Sequence, residues 1–114
     1  MKKLTKILAI VLSAALIGAM FAGCSGAADD GKYTVGILQQ MQHAALDRAT
    51  QGFKDALTEK LGAENVEFND QNANNDVPTC ATIAGQFVSN KVDLIFANGT
   101  SALEASVAAT GEIP

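Results

Sequence analysis

Short segments rich in β-branched and apolar residues alternate with longer segments of helical periodicity, and this alternation limits the possible folds most strongly. Three segments have the length and composition of strands: residues 32–38, 66–69 and 92–97. Three others have apolar residues at spacings of three and four: residues 44–61, 77–90 and 102–110. Because strands that alternate with helices pair in parallel, the sequence predicts a three-layer α/β domain of βα repeats with helices on both faces of the sheet.

Capping residues give the predicted boundaries of the second and third helices. Asp76 stands before Pro78, a pair that fits the cap and first turn of the second helix. Ser101 and Glu104 have the spacing of a capping box, which predicts a third helix that begins at Ala102.

The sequence also predicts that the third strand and one cysteine are buried. Residues 92–97 are apolar without interruption after Asp93, which is typical of a central parallel strand covered on both faces. Cys80 lies on the apolar side of the second helix, so we expect a buried small hydrophobic residue rather than a catalytic thiol.

The first two dozen residues have the pattern of an export signal. Three lysines precede an apolar stretch at residues 7–21, which is too short for a comfortable bilayer span. The stretch ends in Phe21-Ala22-Gly23-Cys24, which resembles the lipobox of bacterial lipoproteins. The alternative is an uncleaved anchor helix with an incidental cysteine.

The lipobox divides the chain into three predicted parts. Residues 1–23 are the signal peptide, and residues 24–31 are a flexible tether that begins with a lipid-modified Cys24. Residues 32–114 form the folded lobe. The chain ends on residues that resemble the start of another element, so we expect an N-terminal fragment of a longer protein.

Charge and cysteine content argue against several classes of partner. Loss of the signal removes three lysines, leaving five basic against twelve acidic residues, and the formal net charge changes from −4 to −7. An acidic chain without a basic cluster is not expected to bind nucleic acid. With Cys24 modified by lipid, Cys80 has no disulfide partner, and one histidine with one free cysteine cannot form a zinc site.

Polar residues follow each predicted strand, at the edge of a parallel sheet where ligands usually bind. The three loops are rich in amides and hydroxyls, which suit a small polar molecule held by many hydrogen bonds. The candidate binding residues are Gln39, Gln42, His43, Asn72, Asn98, Thr100 and Ser101.

Two of the three loops contain groups with a more specific chemistry. His43 is the one side chain suited to general base work, but its nearest acidic neighbour in sequence is Asp47, and we predict no catalytic residue. Thr100 and Ser101 lie at a helix N-terminus, which favours a carboxylate or phosphate. An ordinary helix cap remains the alternative for these two residues.

Several segments together resemble the substrate-binding proteins of ABC transporters, in the family that includes tryptophan- and tyrosine-uptake lipoproteins. They are the lipobox and tether, Tyr33-Thr-Val-Gly-Ile-Leu-Gln, Gln42-His43-Ala44-Ala45-Leu46-Asp47, Gly52-Phe53, Gln71-Asn72-Ala73, and the stretch from Thr82-Ile83-Ala84 to Val92-Asp93-Leu94-Ile95. In the family motif a proline stands where this chain has Ala44.

The resemblance implies a type I periplasmic-binding-protein-like fold, in which two α/β lobes close on the ligand about hinge strands. This chain would supply most of the first lobe, and the second lobe is absent from it. The resemblance also implies that Thr100 and Ser101 contact the carboxylate of an amino acid, with weaker support for Gln39, Gln42, His43 and Asn72.

The implied function is that of an extracytoplasmic, lipid-anchored solute receptor. It would capture a small solute, with an aromatic or other amino acid favoured by the family, and deliver it to an ABC permease and its ATPase. No cofactor, metal or enzymatic activity is expected. Three alternatives stay open: a sugar receptor of the same fold, a surface-anchored enzyme, and a sensor domain.

Overall fold

The computed structural model describes residues 31–114, and the predicted signal peptide, Cys24 and all of the predicted tether except Gly31 lie outside this range. The elements are β1 (Tyr33–Gln39), α1 (Ala44–Leu61), β2 (Val66–Asn72), α2 (Val77–Ser89), β3 (Leu94–Asn98) and α3 (Thr100–Ala109), with a 3-10 turn at Ala63–Asn65. The predicted βαβαβα order is therefore confirmed. Within residues 31–114, no helix is long and apolar enough to cross a membrane.

The three strands form one parallel sheet in the order β2-β1-β3. The central strand is thus β1, and the prediction that the third strand is central is wrong for the described residues. Continuous apolarity indicated burial, but strand order depends on which edges pair, and β1 pairs on both sides. The outer edge of β3 pairs with no strand among the described residues, but it contacts the end of the chain: the Ile95 N–H donates to the Pro114 carbonyl at 2.8 Å.

The helices cover both faces of the sheet, as predicted. One face, under α1, contains the buried residues Val35, Ile37 and Val66, with Phe53 and Phe96 stacked at a ring-centroid distance of 4.2 Å. The other face packs against α2 and α3. Its buried residues are Leu38, Ala73, Cys80, Ile83, Ala84, Phe87, Val92 and Ala102.

Cys80 lies in this second core with none of its surface exposed, which confirms its predicted burial. Burial raises the pKa of the Cys80 thiol, and the nearby Asp76 carboxylate raises it further. The neutral thiol is therefore the favoured form at neutral pH, and it packs as a small apolar group.

A close approach between a strand and a helix brings α2 against the centre of the sheet. The ring of Phe87 lies directly over Gly36 of β1, and a Cβ atom at position 36 would lie 2.6 Å from the ring. Phe87 is completely buried, so it has no room to move away. The glycine therefore allows a large aromatic side chain to reach the central strand.

The second strand is longer than its apolar residues predicted. It continues through Asp70 to Asn72, where the sequence analysis placed a loop, because Gln39 of β1 pairs with Asn72 in the parallel ladder. Backbone pairing does not require apolar side chains at an exposed edge. The extra residues place Asp70 beside Lys54 of α1, with which it forms an ion pair.

The helix caps differ in how well the sequence predicted them. Asp76 caps α2 as expected, accepting from the Thr79 N–H at 2.9 Å and also from the Thr79 hydroxyl. These two hydrogen bonds lower the pKa of Asp76. The ionised cap stabilises the fold fully at pH values above 3.8, the ordinary pKa of an aspartate. This stabilisation is lost as the pH falls through the lower pKa of Asp76 in the folded state.

The predicted capping box at Ser101 and Glu104 is wrong. The helix α3 begins two residues earlier than predicted, at Thr100, and its cap is Gly99, which makes no side-chain capping bond. Ser101 is already inside the helix, and its backbone N–H donates to Oε1 of Gln40 at 2.9 Å. An acceptor distant in sequence therefore satisfies a backbone N–H of the first turn, and local spacing cannot reveal such a contact.

Candidate functional site

The carboxyl ends of the three strands meet at one edge of the sheet, where three of the candidate residues occupy neighbouring positions. Asn72, Gln39 and Asn98 end β2, β1 and β3, and Gln39 pairs with each of the other two in the parallel ladders. By strand alternation, Gln39 shares a face with Val35 and Ile37, the face under α1. This row of amides thus lies beside the first half of that helix.

Gln39 is 7% exposed and hydrogen-bonded throughout its carboxamide. Its Nε2 donates to the Met41 carbonyl at 2.8 Å and to Oδ1 of Asp47 at 2.7 Å, and its Oε1 accepts from the Thr50 hydroxyl at 2.7 Å. Both donors are used within the protein. The side chain therefore holds α1 and the β1–α1 loop against the strand end.

Asn98 has the same role from the other side of β1. Its Nδ2 donates to the Leu46 carbonyl at 2.9 Å and to the Thr50 hydroxyl at 3.0 Å, and the residue is 8% exposed. Thr50 thus joins the two buried amides, Gln39 and Asn98, into one network. This network fixes the start of α1 above the edge where the loops gather.

A groove of about 270 Å³ lies between α1 and β2. Gln39, Gln42 and Asn72 line it, together with the ion pair of Lys54 and Asp70. Gln42 and Asn72 are both exposed, and Oδ1 of Asn72 accepts from the Asn74 N–H at 2.8 Å. Three candidate residues therefore share one polar recess.

His43 caps α1. Its Nδ1 accepts from the Ala45 N–H at 3.2 Å, and the residue is exposed. Among residues 31–114, no group of three or more histidine, cysteine and acidic side chains is placed to hold a metal ion. The arrangement around His43 is that of a helix cap in which one ring nitrogen is already used.

Thr100 and Ser101 form the first turn of α3, where backbone N–H groups point towards the gathered loops. Thr100 is exposed and Ser101 is half-buried. The Ser101 N–H is bonded to Gln40, so the Thr100 backbone and the two hydroxyls are the groups best placed to meet a ligand from solvent. Such a turn can hold a carboxylate or another anion by hydrogen bonds and the helix dipole.

Gln40 is a residue of this edge that the sequence analysis did not select. Its Nε2 donates to Oδ1 of Asn75 at 3.0 Å, and its Oε1 accepts from Ser101. Asn74 and Asn75, with φ of 51° and 63°, turn the β2–α2 loop back towards it. The sequence signal was Gly99, which has no side chain to cap α3 and therefore leaves the first N–H groups of the helix to other acceptors or to water.

The structure therefore distributes the seven candidates over four places. The groove contains Gln39, Gln42 and Asn72, while the first turn of α3 contains Thr100 and Ser101. The other two candidates each hold α1 from a separate position. His43 caps the helix, and Asn98 donates to the Leu46 carbonyl in its first turn.

Comparison with known proteins gives one family. The family model described as "ABC transporter substrate binding protein" matches residues 34–114. A tyrosine-binding protein of Clostridioides difficile (strain R20291) is 38% identical in an alignment of 128 positions, which covers 100% of this chain and 37% of that protein. The chain thus spans little more than a third of this curated relative.

Three solved structures are similar to this chain in both sequence and fold. The ligand-free, open structure of a substrate-binding protein with adhesive properties from Clostridium difficile is 45% identical, with a TM-score of 0.68 over 72% of this chain and 28% of that one. An ABC domain in complex with L-Trp from Streptococcus pneumonia is 30% identical, with a TM-score of 0.67 over 73% of this chain and 28% of that chain. A conserved domain protein from Vibrio cholerae is 33% identical, with a TM-score of 0.68 over 73% of this chain and 29% of that one.

Proposed function

The chain belongs to the ABC transporter substrate-binding protein family, and we propose on that premise that it captures a small solute for an ABC importer. The observation that carries the proposal is the 38% identity to a tyrosine-binding protein over the whole of this chain. In this role the protein binds and releases its solute without chemical change. The permease and ATPase of the importer are its proposed protein partners.

The proposed solute is an amino acid with an aromatic side chain. One relative is a tyrosine-binding protein, and one structural neighbour is a complex with L-Trp. The loops of this chain offer hydrogen-bonding groups for the amino-acid backbone, and half-buried Met41 is an apolar contact for a ring. The rest of the ring contacts would come from a second lobe, as the resemblance implies.

The proposed position of the solute carboxylate is the first turn of α3. Thr100 and Ser101 supply hydroxyl donors there, and the positive end of the helix dipole favours a negative group. Gln42 and Asn72 are exposed at the neighbouring groove and would meet polar parts of the solute. The mechanism is lobe closure, in which the solute binds the closed form more tightly and shifts the population towards it.

A thermal-shift measurement on the full-length protein without residues 1–24 tests this function. L-tyrosine, L-tryptophan or L-phenylalanine is expected to raise the melting temperature, because a ligand at about 100 times its Kd stabilises the folded state by about 2.7 kcal/mol. Ribose, glucose and acidic amino acids, at the same concentrations, are expected to leave it unchanged. A response to sugars alone would contradict the proposal and favour a sugar receptor.

A pair of matched variants locates the solute. Thr100→Val keeps the shape of the side chain and removes its hydroxyl, and it is expected to reduce the shift with L-tyrosine. Thr82→Val is the control, because the Thr82 hydroxyl donates to the Pro78 carbonyl within α2, away from the loops. An equal shift in both variants would show that Thr100 does not contact the solute.

We also propose that the protein is a lipoprotein held outside the cytoplasmic membrane through Cys24. The proposal rests on the export signal and lipobox at residues 1–24, and on the membership of a family whose members capture solutes for importers. Two or three acyl chains on one cysteine give a stable anchor. Palmitate labelling of cells is expected to mark the protein and to be abolished by Cys24→Ser, whereas equal labelling of both forms would contradict the anchor.

A further inference from the structure

Gln40 forms hydrogen bonds with both loops that flank its own loop. Its backbone N–H donates to the Asn98 carbonyl at 2.9 Å, and its carbonyl accepts from the Asn75 N–H at 2.7 Å. Its side chain repeats the pattern, with Oε1 accepting from the Ser101 N–H at 2.9 Å and Nε2 donating to Oδ1 of Asn75 at 3.0 Å. One residue therefore connects all three loops at the carboxyl edge of the sheet.

The space for the Gln40 side chain exists because position 99 is glycine. A Cβ atom there would lie 2.6 Å from Cβ and 2.7 Å from Oε1 of Gln40. Gly99 also has no side chain with which to cap α3, and the Gln40 carboxamide supplies the missing acceptor from 61 positions earlier in the chain. The position of the first turn of α3 thus depends on a residue that follows β1.

We propose that Gln40 is the positioning residue of the candidate solute site, holding the first turn of α3 and the β2–α2 loop at the separation that a bound solute requires. The proposal rests on the proposed function, since it concerns the loops assigned to the solute there. Gln40 is half-buried, and its bond to Asn75 is exposed, so it lies at the rim of the fold and outside both apolar cores.

Loss of the Gln40 carboxamide would act on binding through the order of the loops. The Ser101 N–H would be left to water, and the β2–α2 loop would lose its side-chain link to α3 through Asn75. A solute would then have to order both loops as it binds, and this entropy cost lowers affinity. The apolar packing under α2 and α3 does not involve Gln40 and would stay in place.

Gln40→Met tests the proposal, because methionine has the same length but cannot form these hydrogen bonds. In the full-length protein without residues 1–24, titration calorimetry with L-tyrosine is expected to give a Kd roughly ten times higher than that of the unmodified protein. The melting temperature without ligand is expected to fall only slightly. A Kd within twofold of the unmodified protein would overturn the proposal.

Asn65→Ala is the control for a general loss of stability. Asn65 donates from Nδ2 to the Leu61 carbonyl at 2.7 Å, at the opposite, amino-terminal edge of the sheet. The substitution removes one side-chain hydrogen bond, so the melting temperature of this variant is expected to fall about as much as that of Gln40→Met. Its Kd for L-tyrosine is expected to stay unchanged. A similar rise in Kd in Asn65→Ala and Gln40→Met would show that Gln40 acts through stability alone.

A double-mutant cycle with Asn75→Gly separates positioning from packing. Glycine preserves the φ of 63° at position 75 and removes the Oδ1 acceptor of Gln40. The two changes in Kd are expected to be less than multiplicative, because both act through the same link. Independent, multiplicative changes would overturn the proposal. Absence of tyrosine binding in the unmodified protein would instead refute the proposed function itself.

Discussion

Phe87→Ala is expected to lower the free energy of unfolding by about 3–5 kcal/mol, the usual range for removal of a buried phenylalanine. Phe87 is completely buried at the centre of the core under α2, and its ring lies on the backbone of β1 at Gly36. The cavity would open beside the strand that pairs with both others, so the surrounding residues cannot easily close it. Chemical unfolding followed by circular dichroism measures the change.

Leu103→Ala is the matched control for this prediction. Leu103 lies on α3 and is 55% exposed, so its removal is expected to change the stability by less than about 0.5 kcal/mol. A comparable loss in the two variants would contradict the assignment of Phe87 to the core.

Because Phe87 contacts Gly36, the effect of Gly36→Ala on stability is expected to depend on whether Phe87 is present. Gly36→Ala alone is expected to destabilise the protein, because its Cβ would lie 2.6 Å from the ring, whereas the same change in the Phe87→Ala background places a methyl group in the new cavity. The second step is therefore expected to be neutral or stabilising. Equal effects of Gly36→Ala in both backgrounds would show that the two residues do not interact.

Gly99→Ala is expected to have the largest effect of a single methyl group on solute binding. The backbone at this position has φ of 123° and ψ of 157°, a region that is essentially restricted to glycine, and the strain is expected to cost about 1–3 kcal/mol. The new methyl group would also displace Gln40 from the first turn of α3. We expect more than a tenfold rise in the Kd for L-tyrosine, about 1.4 kcal/mol or more, by calorimetry.

Gly85→Ala is the control for this substitution. Gly85 is exposed on α2, and apart from its chain neighbours and the adjacent backbone of α2 no heavy atom lies within 4 Å of the position that its Cβ would occupy. Alanine is expected to stabilise the helix by about 0.5–1 kcal/mol and to leave the Kd unchanged. Unaltered tyrosine binding in Gly99→Ala would show that the geometry of the α3 N-terminus does not contribute to the site.

The elements that the sequence predicted well are those whose signal is local. The apolar spacing from residue 44 to residue 61 predicted both ends of α1 correctly, and Asp76 predicted the start of α2. Burial of Cys80 followed from its place on an apolar helix face. In each case the physical cause, a periodicity or a cap, lies within a few residues of the feature that it determines.

The features that the sequence analysis missed depend on contacts between distant segments. The ladder with β1 extends β2 to Asn72 despite its polar side chains, and Gln40 caps α3 from the far side of two βα units. Gln39 and Asn98 were selected as ligand contacts, and the structure shows that both carboxamides donate all their N–H groups within the protein.

The sequence by itself determined the alternation of strands and helices, the parallel sheet and the family, because periodicity and motif are properties of neighbouring residues. Only the tertiary structure decided that β1 is the central strand, which amides face α1, and which residue caps α3. These depend on which strand edges and side chains meet across dozens of residues. Hydrogen bonds at such distances are set by packing of the whole lobe, which no local pattern specifies.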